Sequence, residues 1–430
     1  MKRSLIPPMH PKGQGFPMRS MKLVLGITAI SLVAVGLACR AKEEDTGVVW
    51  RHLSSKNGDL PAPNSGTEQT SCIVLDIDKD GINDFAVSER TAAPSLVWYR
   101  RGKSGWTRYV IEDKRLHIEA GTCALDIDND GDLDIVAGGD YQSNEVWWWE
   151  NPYPKFDPQT PWKRHLIKNS GAPKHHDQLF GDFDGDGKEE LVFWNQEAHK
   201  LFMAKIPDDP RNTEPWPMTE IYSYSSDSEM VQRGRPASFR SVNEHEGLAK
   251  GDIDGDGKLD IIGGGRWFKH MGGTQFVPNI IDASYAFSRA AVGDLVKGGR
   301  PEVVLVVGDG EGPLNWYEWV KGTWVPHKLA DINSGHSLAI VDFNNDGNLD
   351  IFCAEMRLNG GNPDAKCYLF LGDGNGHFKK TVVSTGFGYH ESKIADLDGN
   401  GTLDILDKPY NWDTPRLDIW LNMGPTGIKR

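Results

Sequence analysis

Short apolar stretches alternate with polar, glycine-rich turns through most of the 430-residue chain. Within the stretches, apolar and polar residues alternate, or β-branched and aromatic residues cluster, as expected of strands with one or both faces buried. One unit shows the pattern clearly: Thr122–Leu125, Leu133–Ala137, Glu145–Trp149 and Trp162–Ile167 are predicted as strands A, B, C and D. The strand D segment recurs as Trp106–Ile111, Trp162–Ile167, Trp216–Tyr222, Phe276–Ile281, Trp324–Leu329 and Phe378–Val383. The last unit has a strand C at Arg416–Leu421 and no strand D after it. Val49-Trp50-Arg51-His52-Leu53, near the other terminus, matches Pro161-Trp162-Lys163-Arg164-His165-Leu166. The N-terminal strand is therefore predicted to complete the last sheet, leaving no open edge at the seam.

Between strands A and B of each unit lies an acidic turn of the form D-x-D-x-D-G-x-x-D. Its carboxylates are Asp76, Asp78, Asp80 and Asp84; Asp126, Asp128, Asp130 and Asp134; Asp182, Asp184, Asp186 and Glu190; and Asp252, Asp254, Asp256 and Asp260. Two copies carry one Asn each: Asp342, Asn344, Asp346 and Asp350, then Asp396, Asp398, Asn400 and Asp404. A worn copy, Asp294 to Glu302, keeps only its first and ninth acids and is expected to bind no metal. Calcium takes six to eight hard oxygen ligands at about 2.3–2.6 Å. Carboxylates at positions 1, 3 and 5 are expected to turn inward, with Gly at position 6 bending the chain and position 9 closing the shell. An EF-hand is excluded, because its position 12 needs Glu and here holds Val87, Ala137, Phe193 or Gly263. Four carboxylates packed without a cation would repel one another, so up to six structural Ca²⁺ ions are expected.

The turns begin at 76, 126, 182, 252, 294, 342 and 396. Repeats of about 40–50 residues with four short strands each are the signature of propeller blades. The predicted fold is all-β: a seven-bladed β-propeller of four-stranded antiparallel blades, one domain over 46–424, its last blade closed by the N-terminal strand.

Charge and the N-terminus narrow the setting. The formal net charge is −14, and residues 1–38 hold five basic side chains and no acids, so a processed chain would stand at −19. Nucleic acid, which needs a basic face, is excluded as a partner. Lys22, the apolar run Leu23–Ala38 and Cys39 form a secretory signal, too short for a comfortable membrane span. Leu37-Ala38-Cys39 resembles a bacterial lipobox, which makes Cys39 a candidate for lipidation and residues 1–39 a signal or lipoprotein N-terminus. The expected location is outside the cytoplasm, either anchored in the cell envelope or secreted or periplasmic. Any membrane contact would be through that lipid alone. Cys72, Cys123, Cys353 and Cys367 remain; Cys353 and Cys367 flank one predicted hairpin and could pair, or all four could be buried thiols.

With seven quartets and their acidic turns in view, the chain resembles the FG-GAP/VCBS propeller family, which includes the integrin α-chain head and many exported bacterial proteins. The resemblance implies that the A–B turns lie on one face and that the D→A and B→C connections surround the axis on the other. Counting back six or seven positions from each turn's first Asp then gives Glu119, His175 or His176, His245 or Glu246, His336, and Tyr389 or His390. Arg289, Asp177 and Glu391 lie one place further in. The B→C connections add Arg266, Trp267, Glu355, Arg357, Lys408, Tyr410 and Trp412. A polar funnel with aromatic platforms suits sugar rings. Carbohydrate binding or processing is the expected function, with a glycan or polysaccharide as partner. For a lyase, His176, His245, His336 or His390 would be the base, and Arg289 or Arg266 would pair with the substrate carboxylate. A glycosidase would use two carboxylates, with Glu246 beside Glu391 or Asp177 as candidates. The alternative is a non-catalytic surface module with purely structural calcium. A zinc hydrolase is disfavoured, since no H-x-x-x-H spacing is present.

Overall fold

The structure, a computed structural model, describes residues 48–224 and 244–425. The signal sequence and Cys39 lie outside the described residues. The strands form seven sheets, each of four antiparallel strands. Blade 1 is Cys72–Leu75, Asp84–Ser88, Leu96–Gly102 and Gly105–Glu112. Blade 2 is Cys123–Leu125, Asp134–Gly138, Val146–Glu150 and Lys163–Lys168. Blade 3 is His175–Gly181, Glu190–Asn195, Lys200–Lys205 and Met218–Ser223. Blade 4 is Ala249–Gly251, Asp260–Gly263, Arg266–Gly272 and Gln275–Ile280. Blade 5 is Ser288–Gly293, Glu302–Val307, Glu311–Val320 and Thr323–Asn333. Blade 6 is Ser337–Val341, Asp350–Ala354, Lys366–Gly372 and Phe378–Thr385. Blade 7 takes strands A to C from Lys393–Ala395, Asp404–Asp407 and Asp418–Pro425, and strand D from Val48–Ser54.

The seam closes as the sequence predicts. Val48–Ser54 pairs antiparallel with Asp418–Pro425, Leu53 opposite Ile419 and Trp50 opposite Asn422. Strand edges shift by a few residues from the predicted ones, most in blade 5, whose strand D runs on to Asn333.

The core is seven apolar layers, one between each pair of neighbouring blades. Successive side chains of a strand point to opposite sheet faces, so each blade feeds two layers. The run Trp147-Trp148-Trp149 shows this directly. Trp147 and Trp149 pack with Trp98 and Leu96 of blade 1, whereas Trp148 packs with Phe180, Phe193 and Trp216 of blade 3. The second residue of every acidic turn plugs the same layers: Ile77, Ile127, Phe183, Ile253, Leu295, Phe343 and Leu397 are all buried. All four described cysteines are free thiols. Cys353 and Cys367 do not pair, because register sets Cys367 opposite Ala354 and Cys353 opposite Tyr368.

Candidate functional site

Strand A carries two sites, one at each end. In blade 3, His175 and His176 start the strand and Gly181 ends it beside the turn that begins at Asp182. Acidic turns therefore lie on one face of the disc and the axial connections on the other.

At the turn end, three ligand positions converge. Carboxylate oxygens of positions 1, 3 and 9 lie within 4.8 Å of one another in the turns starting at Asp76, Asp126, Asp182, Asp252 and Asp396. Position 5 does not join them, contrary to the expected inward turn. Its side chain bends back to accept from the position-7 backbone, as Asp80 Oδ1 does from Ile82 N at 3.0 Å. This separates the two Asn-bearing copies. Asn400 sits at position 5 and leaves a three-carboxylate cluster, whereas Asn344 sits at position 3 and removes one member.

Position 9 is also a structural staple. Asp134 accepts from Ile127 N at 3.0 Å and from Asn151 N at 2.8 Å. Glu302 of the worn copy keeps this role, accepting from Leu295 N at 2.8 Å and Val296 N at 3.0 Å. That explains how its ninth acid outlasts the rest of the motif. Two backbone positions in each full turn take positive φ, positions 4 and 6, such as Asn129 at 60° and Gly131 at 93°. In the worn copy only Gly298, at position 5, does so.

The clusters fit a hard cation. Asp78 Oδ1, Asp126 Oδ1, Asp128 Oδ1, Glu190 Oε1 and Asp254 Oδ1 are buried without hydrogen-bond partners. Burial pushes Asp134 up to about 8 and Asp84, Glu190 and Asp404 up to about 7, a penalty a bound dication would remove. Asp76, Asp78 and Asp84, and their counterparts, would hold it.

At the axial end a cavity of about 270 Å³ is lined by the D→A and B→C connections, among them Arg90, Glu119, His176, Glu246, His336 and Tyr410. Its floor is a buried ion lattice. Arg289 donates through Nη1 to Asp177 Oδ1 at 2.9 Å. Its Nη2 lies 2.7 Å from Glu391 Oε1 and 3.1 Å from His336 Nδ1. A second, smaller hollow of about 100 Å³ lies beyond the lattice, lined by Asp177, Arg289, Glu391 and Lys393. The Arg289 guanidinium thus stands between the two hollows.

Hydrogen-bond geometry assigns each axial imidazole a protonation state. His176 Nδ1 faces Asp177 Oδ2 at 2.8 Å and its Nε2 faces Glu246 Oε1 at 3.1 Å. Nδ1 donates to Asp177 and Nε2 pairs with Glu246, so the ring, set between two carboxylates, is an imidazolium. Burial opposes that charge, but Glu246 and Asp177 outweigh it and push the group up to about 9. His336 accepts from Arg289 at Nδ1 and therefore donates from Nε2 to Asp309 Oδ1, 2.9 Å away. His390 accepts at Nδ1 from Lys408 Nζ at 3.1 Å. Lys408 also donates to Gln69 O at 3.0 Å and His390 O at 2.9 Å. Burial brings Lys408 down to about 8, which still leaves an ammonium at neutral pH. Burial, then Lys408, hold His390 far below the ordinary histidine value, so its one N–H is on Nε2. His390 stacks between His336, at 5.0 Å, and Tyr410, at 4.8 Å.

The structure brings Glu119, His176, Asp177, Glu246, Arg289, His336, His390, Glu391 and Tyr410 together, with Lys408 directly behind. The other expected funnel residues sit elsewhere. His245 is one position off: Glu246, six before the turn, lines the cavity, whereas His245, seven before it, enters the blade. It packs on Tyr224 at 3.6 Å and Trp194 at 5.2 Å. Arg266 donates there to Gly264 O at 2.7 Å, close to His245 Nε2 at 3.3 Å. Trp267 is buried between blades 4 and 5 against Trp319 and Trp324. Glu355 fastens its own connection, accepting from Asn333 N and Lys366 N. Arg357 lies over Trp412 at 3.5 Å and donates to Gly386 O, outside the cavity lining.

Counting back missed Glu68, Arg90, Lys174 and Glu244, all on the cavity wall. A second count would have found one of them. Fourteen residues after each turn's first Asp stand Arg90, Asp140, Gln196, Arg266, Gly308, Met356 and Tyr410, of which Arg90, Met356 and Tyr410 line the cavity. No zinc-type cluster forms at the axis: among the described residues, the metal-competent groups are all in the acidic turns.

Fold and turns together define the class, a seven-bladed β-propeller with acidic A–B turns. Within that class the chain carries FG-GAP-like repeats, matched at residues 126–193, 298–353 and 342–406. No curated protein sequence matches it. Among solved structures it is similar to the V. cholerae biofilm matrix protein Bap1, at 10% identity and TM-score 0.48, over 84% of this chain and 89% of that one. It is also similar to the BP39L lectin from Burkholderia pseudomallei, at 12% identity and TM-score 0.46, over 87% and 96%. A NanB sialidase variant from Streptococcus pneumoniae gives 11% identity and TM-score 0.41, over 85% and 72%. Likeness at this level says nothing of ligand or reaction.

Proposed function

We propose that this is an exported, calcium-stabilised propeller that binds carbohydrate in its axial funnel, without turning it over. The observation that carries this reading is the state of the imidazoles. None of His176, His336 and His390 offers the cavity a nitrogen lone pair: two carboxylates hold the first as a cation, and Arg289 and Lys408 occupy Nδ1 of the others. A base for β-elimination needs such a lone pair. Nor is Arg289 available to a substrate carboxylate, since Asp177 and Glu391 already hold it. What remains is a polar wall of donors and acceptors with the His390–Tyr410 stack as a platform, a surface suited to sugar hydroxyls and C–H faces.

Calcium in the acidic turns is assigned a structural role, at the opposite end of the strands from the ligand. Export, with Cys39 lipidated or the leader cleaved, is part of the same proposal. A glycan array probed with calcium-loaded protein tests it. Binding should be retained by wild type and lost in Tyr410→Ala. Unsaturated or newly reducing products from a polysaccharide panel would replace the binding reading with a processing one, and a blank array would end it.

A further inference from the structure

The charge balance of the funnel says more about what it binds. Five carboxylates line the cavity, Glu68, Glu119, Glu244, Glu246 and Asp309, against Arg90 and Lys174. Arg90 contacts Glu119, Lys174 contacts Glu244, and the His176 imidazolium sits 3.1 Å from Glu246. His336 and His390 are neutral by their hydrogen bonds. Three cations therefore face five anions. The floor adds nothing to the balance, because Arg289 and Lys393 offset Asp177 and Glu391, and the Lys408 ammonium behind His390 still leaves the wall one negative charge in excess.

Most of this acidic wall is buried. Glu119, Glu246 and Asp309 are 4%, 3% and 9% exposed. Glu246 Oε2 makes no hydrogen bond, and Arg289 Nη2 lies 3.7 Å from it. A buried carboxylate oxygen without a donor is costly, and a cation that supplies both charge and N–H groups relieves it. Beside it stands the aromatic stack of His390 on Tyr410, with Arg90 over the Tyr410 ring at 5.4 Å.

We infer that the ligand of this cavity carries a protonated amine next to a sugar ring, as in a glycan with free amino sugars, with Glu246 as the residue that receives the amine. This rests on the funnel being the glycan site. An acidic sugar would instead meet like charge on most of the wall.

Isothermal titration of the calcium-loaded protein tests the inference with tetramers of glucosamine, N-acetylglucosamine and galacturonic acid, and with cadaverine. The glucosamine tetramer should bind, weaken as salt is raised, and lose roughly tenfold or more in affinity in Glu246→Gln. If that variant fails to fold, Glu68→Gln on the half-buried rim should still lose about threefold. Equal or tighter binding of the acetylated or acidic tetramer would overturn the amine and leave the glycan reading standing. Cadaverine bound as tightly as the glucosamine tetramer would keep the amine and overturn the glycan reading. Binding of none of them would overturn both.

Discussion

The two ends of strand A have diverged in opposite ways. At the turn end, blade after blade repeats one solution: an apolar plug at position 2, positive φ at positions 4 and 6, and a ninth carboxylate stapled to the backbone. At the axial end the blades differ, and the three that share a histidine give it different partners. The position six before the turn holds Thr70, Ala120, His176, Glu246, Ser288, His336 and His390 in order around the ring. Both ends came from the same repeat, so what stayed constant serves a need every blade shares, which is to hold itself to its neighbour. What changed builds one asymmetric cavity, which needs a different group from each side. The worn fifth copy joins the two patterns. Blade 5 keeps the staple Glu302 and loses the metal cluster, and it is also the blade that sends Arg289 to the axis.

Three measurements sharpen this contrast. The largest effect should come from chelation. A ligand held only by the folded state contributes RT ln(1 + [L]/Kd), about 2.7 kcal/mol per site at a hundredfold excess over Kd. Five or six such sites should make EDTA lower the melting temperature by many degrees, and elemental analysis should find no more than six calcium ions per chain. A melting temperature indifferent to EDTA would remove the metal from the turns.

A smaller loss belongs to Arg289→Met, which removes the cation Asp177 and Glu391 share and leaves them only His176 and Lys393. Removing one partner of a buried ion pair costs about 3–5 kcal/mol. The denaturant midpoint should fall while the calcium response stays intact; equal stability in the variant would mean that the lattice is not the floor of the funnel.

The smallest effect concerns pH. His176 titrates at about 9 in the fold against 6.5 as its ordinary value. A raised folded value means that its contribution is complete below pH 6.5 and is lost as pH climbs through 9. With calcium saturating, the stability gap between wild type and His176→Gln should shrink by roughly 2–3 kcal/mol across that window. A gap that is flat with pH would show that the ring is not the cation between Asp177 and Glu246.

Much of this protein was determined by local pattern alone. Strand quartets, their number, the acidic turns and the closure by Val49–Leu53 all follow from features that act within a few residues or repeat at a regular spacing: alternation, turn glycines and carboxylates set two apart. Tertiary structure decided which carboxylates meet, because positions 3 and 9 converge across the turn and position 5 folds back on its own backbone. It also decided which histidines face the axis. His245 and Glu246 are neighbours in sequence, yet one packs on Tyr224 in the blade and the other lines the cavity. The protonation states of His176, His336 and His390 were set by Asp177, Glu246, Arg289 and Lys408. Asp177 is the sequence neighbour of His176 and Lys408 belongs to the blade of His390, but Glu246 reaches His176, and Arg289 reaches His336, only because neighbouring blades pack together.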